Sequence, residues 1–231
     1  MTVDYRFANS IATLTMDDGK VNALSTARFA ELNHVLDRAE RQAEAVVLTG
    51  RPGVFSAGFD LPVLRAGGVD ATTMLRAGFE TAARLLAFPV PVVVAGTGHA
   101  MAMGLFLLLG GDYRIVADGD YKLAANEVAI GLTMPRTAVE ILRLRLSPAA
   151  FQRAVALSET FGPYNAVLAG LADRVVAAEE LSAVAHELAG QMRGLDREAH
   201  LASKLRARAG ALAAIREAIE RDTAEPLPVR R

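Results

Sequence analysis

Apolar and polar positions change period several times along the chain. Over residues 10–16, Ile11, Thr13 and Thr15 alternate with Ala12, Leu14 and Met16, the period of a strand. The following Asp17-Asp18-Gly19-Lys20 is turn chemistry. Thr26 is placed to cap a helix whose apolar stripe is Phe29, Leu32, Val35, Leu36 and Ala39. Residues 45–49 form a short apolar strand, stopped by Gly50 and a Pro52-Gly53 turn. Residues 72–87 read as a helix closed by Phe88-Pro89. A buried strand at 91–95, a short helix at 104–109 and a strand at 113–116 follow. Strands alternating with helices predict an α/β core with a mainly parallel sheet.

Past about Thr137 the pattern turns helical. One stripe is Leu181, Val184, Ala185, Leu188 and Met192; another is Leu201, Leu205, Leu212, Ile215 and Ile219. The predicted division is an α/β core over residues 1–176 and a helical part over 177–231. No fixed-period repeat is visible. Residues 226–231 carry no apolar periodicity and are expected to fray.

Composition narrows the function. Hydrophobic residues make up 52% of 231, enough for a sizeable core. Twenty-five basic residues against 26 acidic ones leave no field for nucleic acid and no polybasic membrane patch. The absence of cysteine removes disulfides, thiol nucleophiles and zinc–thiolate sites, and suits a reducing compartment. The first six residues lack a basic start leading into an apolar run, and the apolar stretches at 90–95 and 105–109 are far too short to span a membrane. A soluble cytoplasmic protein is expected, with no metal.

Three glycine-containing junctions carry the candidate chemistry. In Phe55-Ser56-Ala57-Gly58-Phe59-Asp60-Leu61, a small residue and a glycine after a strand let backbone N–H groups face outward. An ordinary βα turn would look the same. A serine-hydrolase elbow fails because Val54 stands where a glycine is needed. In Gly98-His99-Ala100-Met101-Ala102-Met103-Gly104, Met101 breaks a dinucleotide fingerprint. The small residues instead admit a ligand close to the backbone, and the helix that opens there aims free N–H groups at it, a setting for a carbonyl oxygen gaining charge. The third junction holds Asn126-Glu127 among Ala124, Ala125, Val128 and Ile130. If buried there, Glu127 would have the raised pKa of a usable base; by composition alone a cap or surface glutamate is the better account.

Taken together these segments resemble the crotonase superfamily, the enoyl-CoA hydratase/isomerase group. Val21-Asn22-Ala23-Leu24-Ser25 is similar to its N-A-L segment and Phe55 to Leu61 to its F-x-A-G-x-D-L segment. Gly98 to Gly104 stands where its glycine-rich segment lies. Asp112-Tyr113-Arg114-Ile115 matches its D-Y-R-I strand, and Gly170-Leu171-Ala172-Asp173-Arg174-Val175-Val176 its A-G-L-v-x-x-V-V segment. The resemblance implies a spiral of ββα units with a C-terminal helical trimerisation part, and a homotrimer or dimer of trimers. It implies an acyl-CoA substrate, with coenzyme A entering as part of that substrate and no separate cofactor. Carried over, the oxyanion-hole amides are the Ala57 and Met103 N–H groups. The CoA-binding residues are Ala23, Ser56, Ala57, Asp60, Leu61 and Lys204, though Lys204 reads equally as a solvated helix-face lysine. Met101 and Phe106 are expected at the pocket, where the Met103 side chain is expected to crowd it.

The carboxylates depart from the hydratase pattern. Of the two glutamates hydratases use, one is Phe106 here and the other is kept as Glu127. Phenylalanine cannot hold water, whereas shifting a double bond needs one base. The single Asn-Glu carboxylate therefore resembles the 3-enoyl/2-enoyl-CoA isomerases. A hydratase helped by Glu140 or Asp60, and an acyl-CoA binder without chemistry, are the other readings. His34 and His99 are expected to stay outside catalysis. The loop at 66–73 leaves the acyl length open.

Overall fold

The structure is a computed structural model, and it describes residues 2–225. In chain order, β1 (Val3–Ala8) and β2 (Ile11–Met16) form a hairpin that leads through β3 (Ala23–Leu24) into α1 (Thr26–Gln42). Then come β4 (Ala45–Thr49), β5 (Gly53–Ser56), β6 (Gly58–Phe59), α2 (Leu61–Ala66) and α3 (Gly68–Leu86). Next are β7 (Val92–Gly96), β8 (Gly98–Met101), α4 (Met103–Leu109), β9 (Tyr113–Ala117) and β10 (Leu123–Ala124). Helices α5 (Arg136–Arg145), α6 (Pro148–Leu157) and α7 (Pro163–Ala169) precede β11 (Arg174–Val176), and α8 (Leu181–Met192) and α9 (Arg197–Ala224) follow it.

The main sheet has the order β1-β2-β4-β7-β9-β11, parallel except for the β1–β2 hairpin. Each of β4, β7 and β9 is followed by a short strand, and these short strands form a second parallel sheet, β10-β8-β5. Strand, short strand, helix therefore recurs as the chain advances, which is the spiral of ββα units. Alternate residues of the main strands serve two cores. Val46, Leu48, Val92 and Val94 face α1, α3 and α4, while Ala45, Val47, Val93, Ala95 and Ile115 face α8. The alanines on both sides bring α8 in close: Ala185 and Ala189 are fully buried. Each large aliphatic side chain so buried stabilises the fold by about 1.5–3 kcal/mol.

Several boundaries differ from the sequence reading. Ser25, not Thr26, caps α1, its Oγ accepting the Arg28 N–H at 3.4 Å. Residues 66–73 are mostly helical, because Gly67 at φ 68° turns the chain between α2 and α3 without a loop. β1 leaves no apolar period in the sequence because it is an edge strand with one buried residue, Val3. On α9, Leu212, Ile215 and Ile219 are buried, but Leu205 is 37% exposed. The expected fraying of residues 226–231 lies outside the described residues. Among the described residues, no helix is long and apolar enough to cross a membrane.

Candidate active site

The N-A-L segment clamps the first junction. Asn22 Nδ2 donates to Met16 O at 2.8 Å and Phe55 O at 3.1 Å. Ser56 Oγ donates to Asn22 O at 2.8 Å and accepts the Gly58 N–H at 3.1 Å. Ser56 is fully buried, so it shapes the turn and does not reach a ligand, contrary to its expected place at CoA. Asp60 Oδ1 caps α2 through the Val63 N–H at 3.4 Å. Half-buried Ala23 pairs with Gly58, and Leu61 is 42% exposed at the cavity rim.

Gly58 brings the first junction against the second. It has φ 94°, and a Cβ there would lie 2.9 Å from both Ala102 Cβ and Met101 O and 3.3 Å from Met103 N. Ala102 opens α4 at φ 47°, ψ −121°, a strained conformation for a residue with a Cβ. Its N–H is tied to Ala124 O at 2.8 Å, and its carbonyl accepts the N–H groups of Leu105 and Phe106. As the first residue of α4, Met103 has an N–H with no carbonyl of its own helix to reach.

Two expectations about the amides change. The Ala57 N–H already donates to Val21 O at 2.9 Å, so it is not a free oxyanion donor. On β6 the Asp60 N–H donates to Leu24 O at 3.1 Å. Phe59, between these two bonded amides, lines a cavity together with Ala57 and Ala102. The Met103 side chain does not crowd that cavity, because every residue of α4 is buried and it packs into the core.

The cavity measures about 80 Å³. Its apolar wall includes Phe59, Leu61, Leu64, Leu75, Ile130 and Leu132, and its polar residues are Asn126, Glu127 and Thr133. Neither Phe106 nor Met101 lines it, contrary to expectation. Phe106 ends an aromatic row, Phe29–Phe59–Phe79–Phe106, with neighbouring centroids 5.9 Å apart. It stiffens the wall from behind.

Glu127 follows β10 at the start of a single 3-10 turn, and its carbonyl accepts the N–H groups of Ile130 at 3.1 Å and Leu132 at 2.9 Å. Its side chain is buried, and Oε2 has no hydrogen-bond partner. Burial pushes its carboxyl up to about 7. It is the one titratable side chain lining the cavity. Beside it Asn126 Oδ1 is also buried and unpartnered. Asn126 is a site residue that the sequence signals only through its adjacency to Glu127.

Other candidates fall elsewhere. Lys204 is neither solvated nor at the cavity: Nζ donates to Asp112 Oδ2 at 2.6 Å, Phe88 O at 2.7 Å and Val90 O at 3.3 Å. Its expected CoA contact is thereby corrected, since its ammonium is spent inside the protein. His99 Nδ1 accepts the Lys122 N–H at 3.0 Å, and His34 is exposed. Glu140 pairs with Arg143 at 3.4 Å. A larger cleft of about 940 Å³ on the α8 side of the sheet includes Thr13, Tyr121 and His186. None of the sequence-identified site residues lines it. Among the described residues, no three His, Cys, Asp or Glu side chains gather as a metal site.

ββα units wound into a spiral and closed by C-terminal helices define the crotonase class. The enoyl-CoA hydratase/isomerase family profile matches residues 6–223, and the chain belongs to that family of enzymes. It is similar to an enoyl-CoA isomerase structure from Mycobacterium tuberculosis, with 49% identity and a TM-score of 0.93 over 96% of this chain and 97% of that one. The human mitochondrial delta3-delta2-enoyl-CoA isomerase structure has 27% identity and a TM-score of 0.88, covering 95% and 91%. A probable enoyl-CoA hydratase of Mycobacterium avium is 32% identical over 174 residues, 74% of this chain and 67% of that protein.

Proposed function

We propose that the protein binds an acyl-CoA thioester and moves a 3-enoyl double bond to the 2-position, with Glu127 as the sole base. The observation that carries this is a buried carboxylate, its Oε2 without a partner and its pKa pushed up to about 7, at the cavity that Phe59 and Ala102 also line. Glu127 takes a proton from C2, and the C–H electron pair moves toward the thioester carbonyl. The Met103 and Phe59 N–H groups hold the enolate oxygen, each worth about 3 kcal/mol. As the carbonyl reforms, C2 becomes doubly bonded to C3, the C3–C4 pair collects the proton at C4, and the carboxylate is regenerated. Coenzyme A enters as part of the substrate and no separate cofactor takes part. Ala23, Asp60 and Leu61 stand on the approach we assign to CoA. The proposal includes a trimer or dimer of trimers and a cytoplasmic setting.

One observation favours a second reading, hydration of 2-enoyl-CoA. Asn126 Oδ1 and Glu127 Oε2 are two unpartnered acceptors at one cavity, as a bound water requires.

The test is Glu127→Gln, which keeps size and removes the base. Turnover of 3-enoyl-CoA should fall by roughly 10³-fold or more, while calorimetric affinity for the 2-enoyl product changes by less than about tenfold. Isomerisation within a few-fold of wild type would make Glu127 structural. If both proteins bind acyl-CoA and neither turns over either enoyl-CoA, a binder without chemistry is the better reading.

A further inference from the structure

We propose that Asp222, near the C-terminal end of α9, is a positioning residue for the loop that carries Glu127. Helix α5 begins at Arg136 and has no cap of its own, since Pro135 at the N-cap offers no side-chain acceptor. Buried helix-start amides without partners are costly. Asp222 supplies the acceptors from 86 residues away in sequence. Its Oδ1 accepts the Arg136 N–H at 3.1 Å, and its Oδ2 accepts the Thr137 N–H and Oγ1, each at 2.9 Å. Asp222 and Thr137 are both buried. Arg136 reinforces the junction, 3.5 Å from Asp222 Oδ1 and 2.6 Å from Glu225 Oε2.

The residues just before this cap are cavity wall. Leu132, Thr133 and Pro135 line the cavity, and buried Met134 sits between them. Upstream, the Leu132 N–H is bonded to the Glu127 carbonyl, so the loop is pinned at Glu127 and at Asp222 and spans the cavity between. Releasing the Asp222 end frees the wall that keeps water from Glu127. No charged side chain besides Glu127 lines the cavity; α6, packed against the 3-10 turn, contributes one charged residue, Arg153, paired with Glu159. Burial therefore dominates at Glu127, and loosening the wall lowers its pKa toward the usual carboxylate range.

The catalytic part of this inference rests on the isomerase reading; the structural part does not, and the experiment separates them. Asp222→Ala and Asp222→Asn are compared with wild type well below their unfolding temperatures. Amide exchange in residues 128–137 should speed up at least tenfold in the alanine variant, with β7 and α8 unchanged. The carboxyl titration of Glu127, followed by NMR, should move down by at least one pH unit. The asparagine variant, which keeps one acceptor oxygen, should fall between. For 3-enoyl-CoA, kcat should fall at least tenfold with KM within about threefold, and the acid limb of the pH profile should follow the titration. If Asp222→Ala does not fold, Thr137→Val removes one bond to the cap and should give a smaller shift in the same readouts. Unchanged loop exchange and an unchanged Glu127 titration in a folded, merely less stable variant overturn the proposal. A wild type inert toward 3-enoyl-CoA, with both structural readouts responding, would sink the isomerase reading and leave the coupling standing.

Discussion

Ionising Glu127 puts a negative charge into a cavity without a cation, and this one residue ties stability to activity. Its folded pKa is raised to about 7, so the fold favours the protonated acid. The stabilisation this gives is fully present below the unfolded carboxyl value and is lost as pH rises through about 7. The full loss is about 3 kcal/mol. Urea unfolding of wild type should accordingly weaken between pH 5 and 8 relative to Glu127→Gln, which has no charge to bury. With Glu127 as the proposed base, activity should run the other way: kcat/KM for isomerisation should rise through an apparent pKa near 7 as the base form appears. Equal pH dependence of stability in the two proteins would mean that Glu127 is solvated. At this scale the sequence was legible for the buried carboxylate of Glu127 but not for the amides. Ala57 and Phe59 both follow the strand, and the Val21 carbonyl that consumes the Ala57 N–H comes from 36 residues upstream. Likewise, the sequence puts Phe106 on the helix and Met103 just before it, whereas Met103 is the helix's first residue, and which way both side chains point depends on that helix being buried on all sides.

Elements with strong periodicity were readable: the stripe of α1 is buried at every position named for it, and β4, β7 and β9 lie where apolar runs put them. The two- to four-residue strands of the second sheet were not, because pairing, not pattern, defines them. α9 was legible as a helix, but part of its buried face was not. Its buried face includes Lys204 and Asp222 beside Leu212 and Ile215, so polar residues stand where a periodicity argument looks for apolar ones. Lys204, Arg208 and the Val92 N–H converge on Asp112 at the mouth of β9, joining α9 to the sheet. Burial pulls the Lys204 pKa down and Asp112 opposes it. Lys204→Ala removes one partner of a buried pair and leaves two carbonyls without their donor, which should destabilise the fold by about 3 kcal/mol in chemical denaturation. Calorimetric CoA affinity should stay within about twofold. A tenfold loss of CoA affinity with unchanged stability would return Lys204 to the ligand.

For the whole molecule, the question is what α9 leaves for a partner. The accessible surface is 10527 Å², close to the roughly 10,000 Å² of a compact monomer of this mass. α9 is therefore folded back on α3 and α5 and is not an arm awaiting a second chain. The apolar stripe that suggested assembly is largely used up at home, with Leu212, Ile215 and Ile219 buried. Among the exposed apolar residues, three lie on the neighbouring helices α6 and α7: Leu157 is 72% exposed, Tyr164 63% and Leu168 82%. Three side chains are less than the roughly 800 Å² per partner of a stable interface, so an assembly must bury the surrounding polar rim too. A closed ring satisfies one such patch per chain against a different surface of its neighbour, as a trimer does. Light scattering at micromolar concentration should give three or six times the 24.5 kDa chain. Leu168→Asp, which places a charge in the most exposed of the three positions, should shift that mass toward the monomer while leaving the far-UV signal intact. A wild-type monomer under these conditions would refute the assembly, and a trimer indifferent to Leu168→Asp would move the interface away from α7.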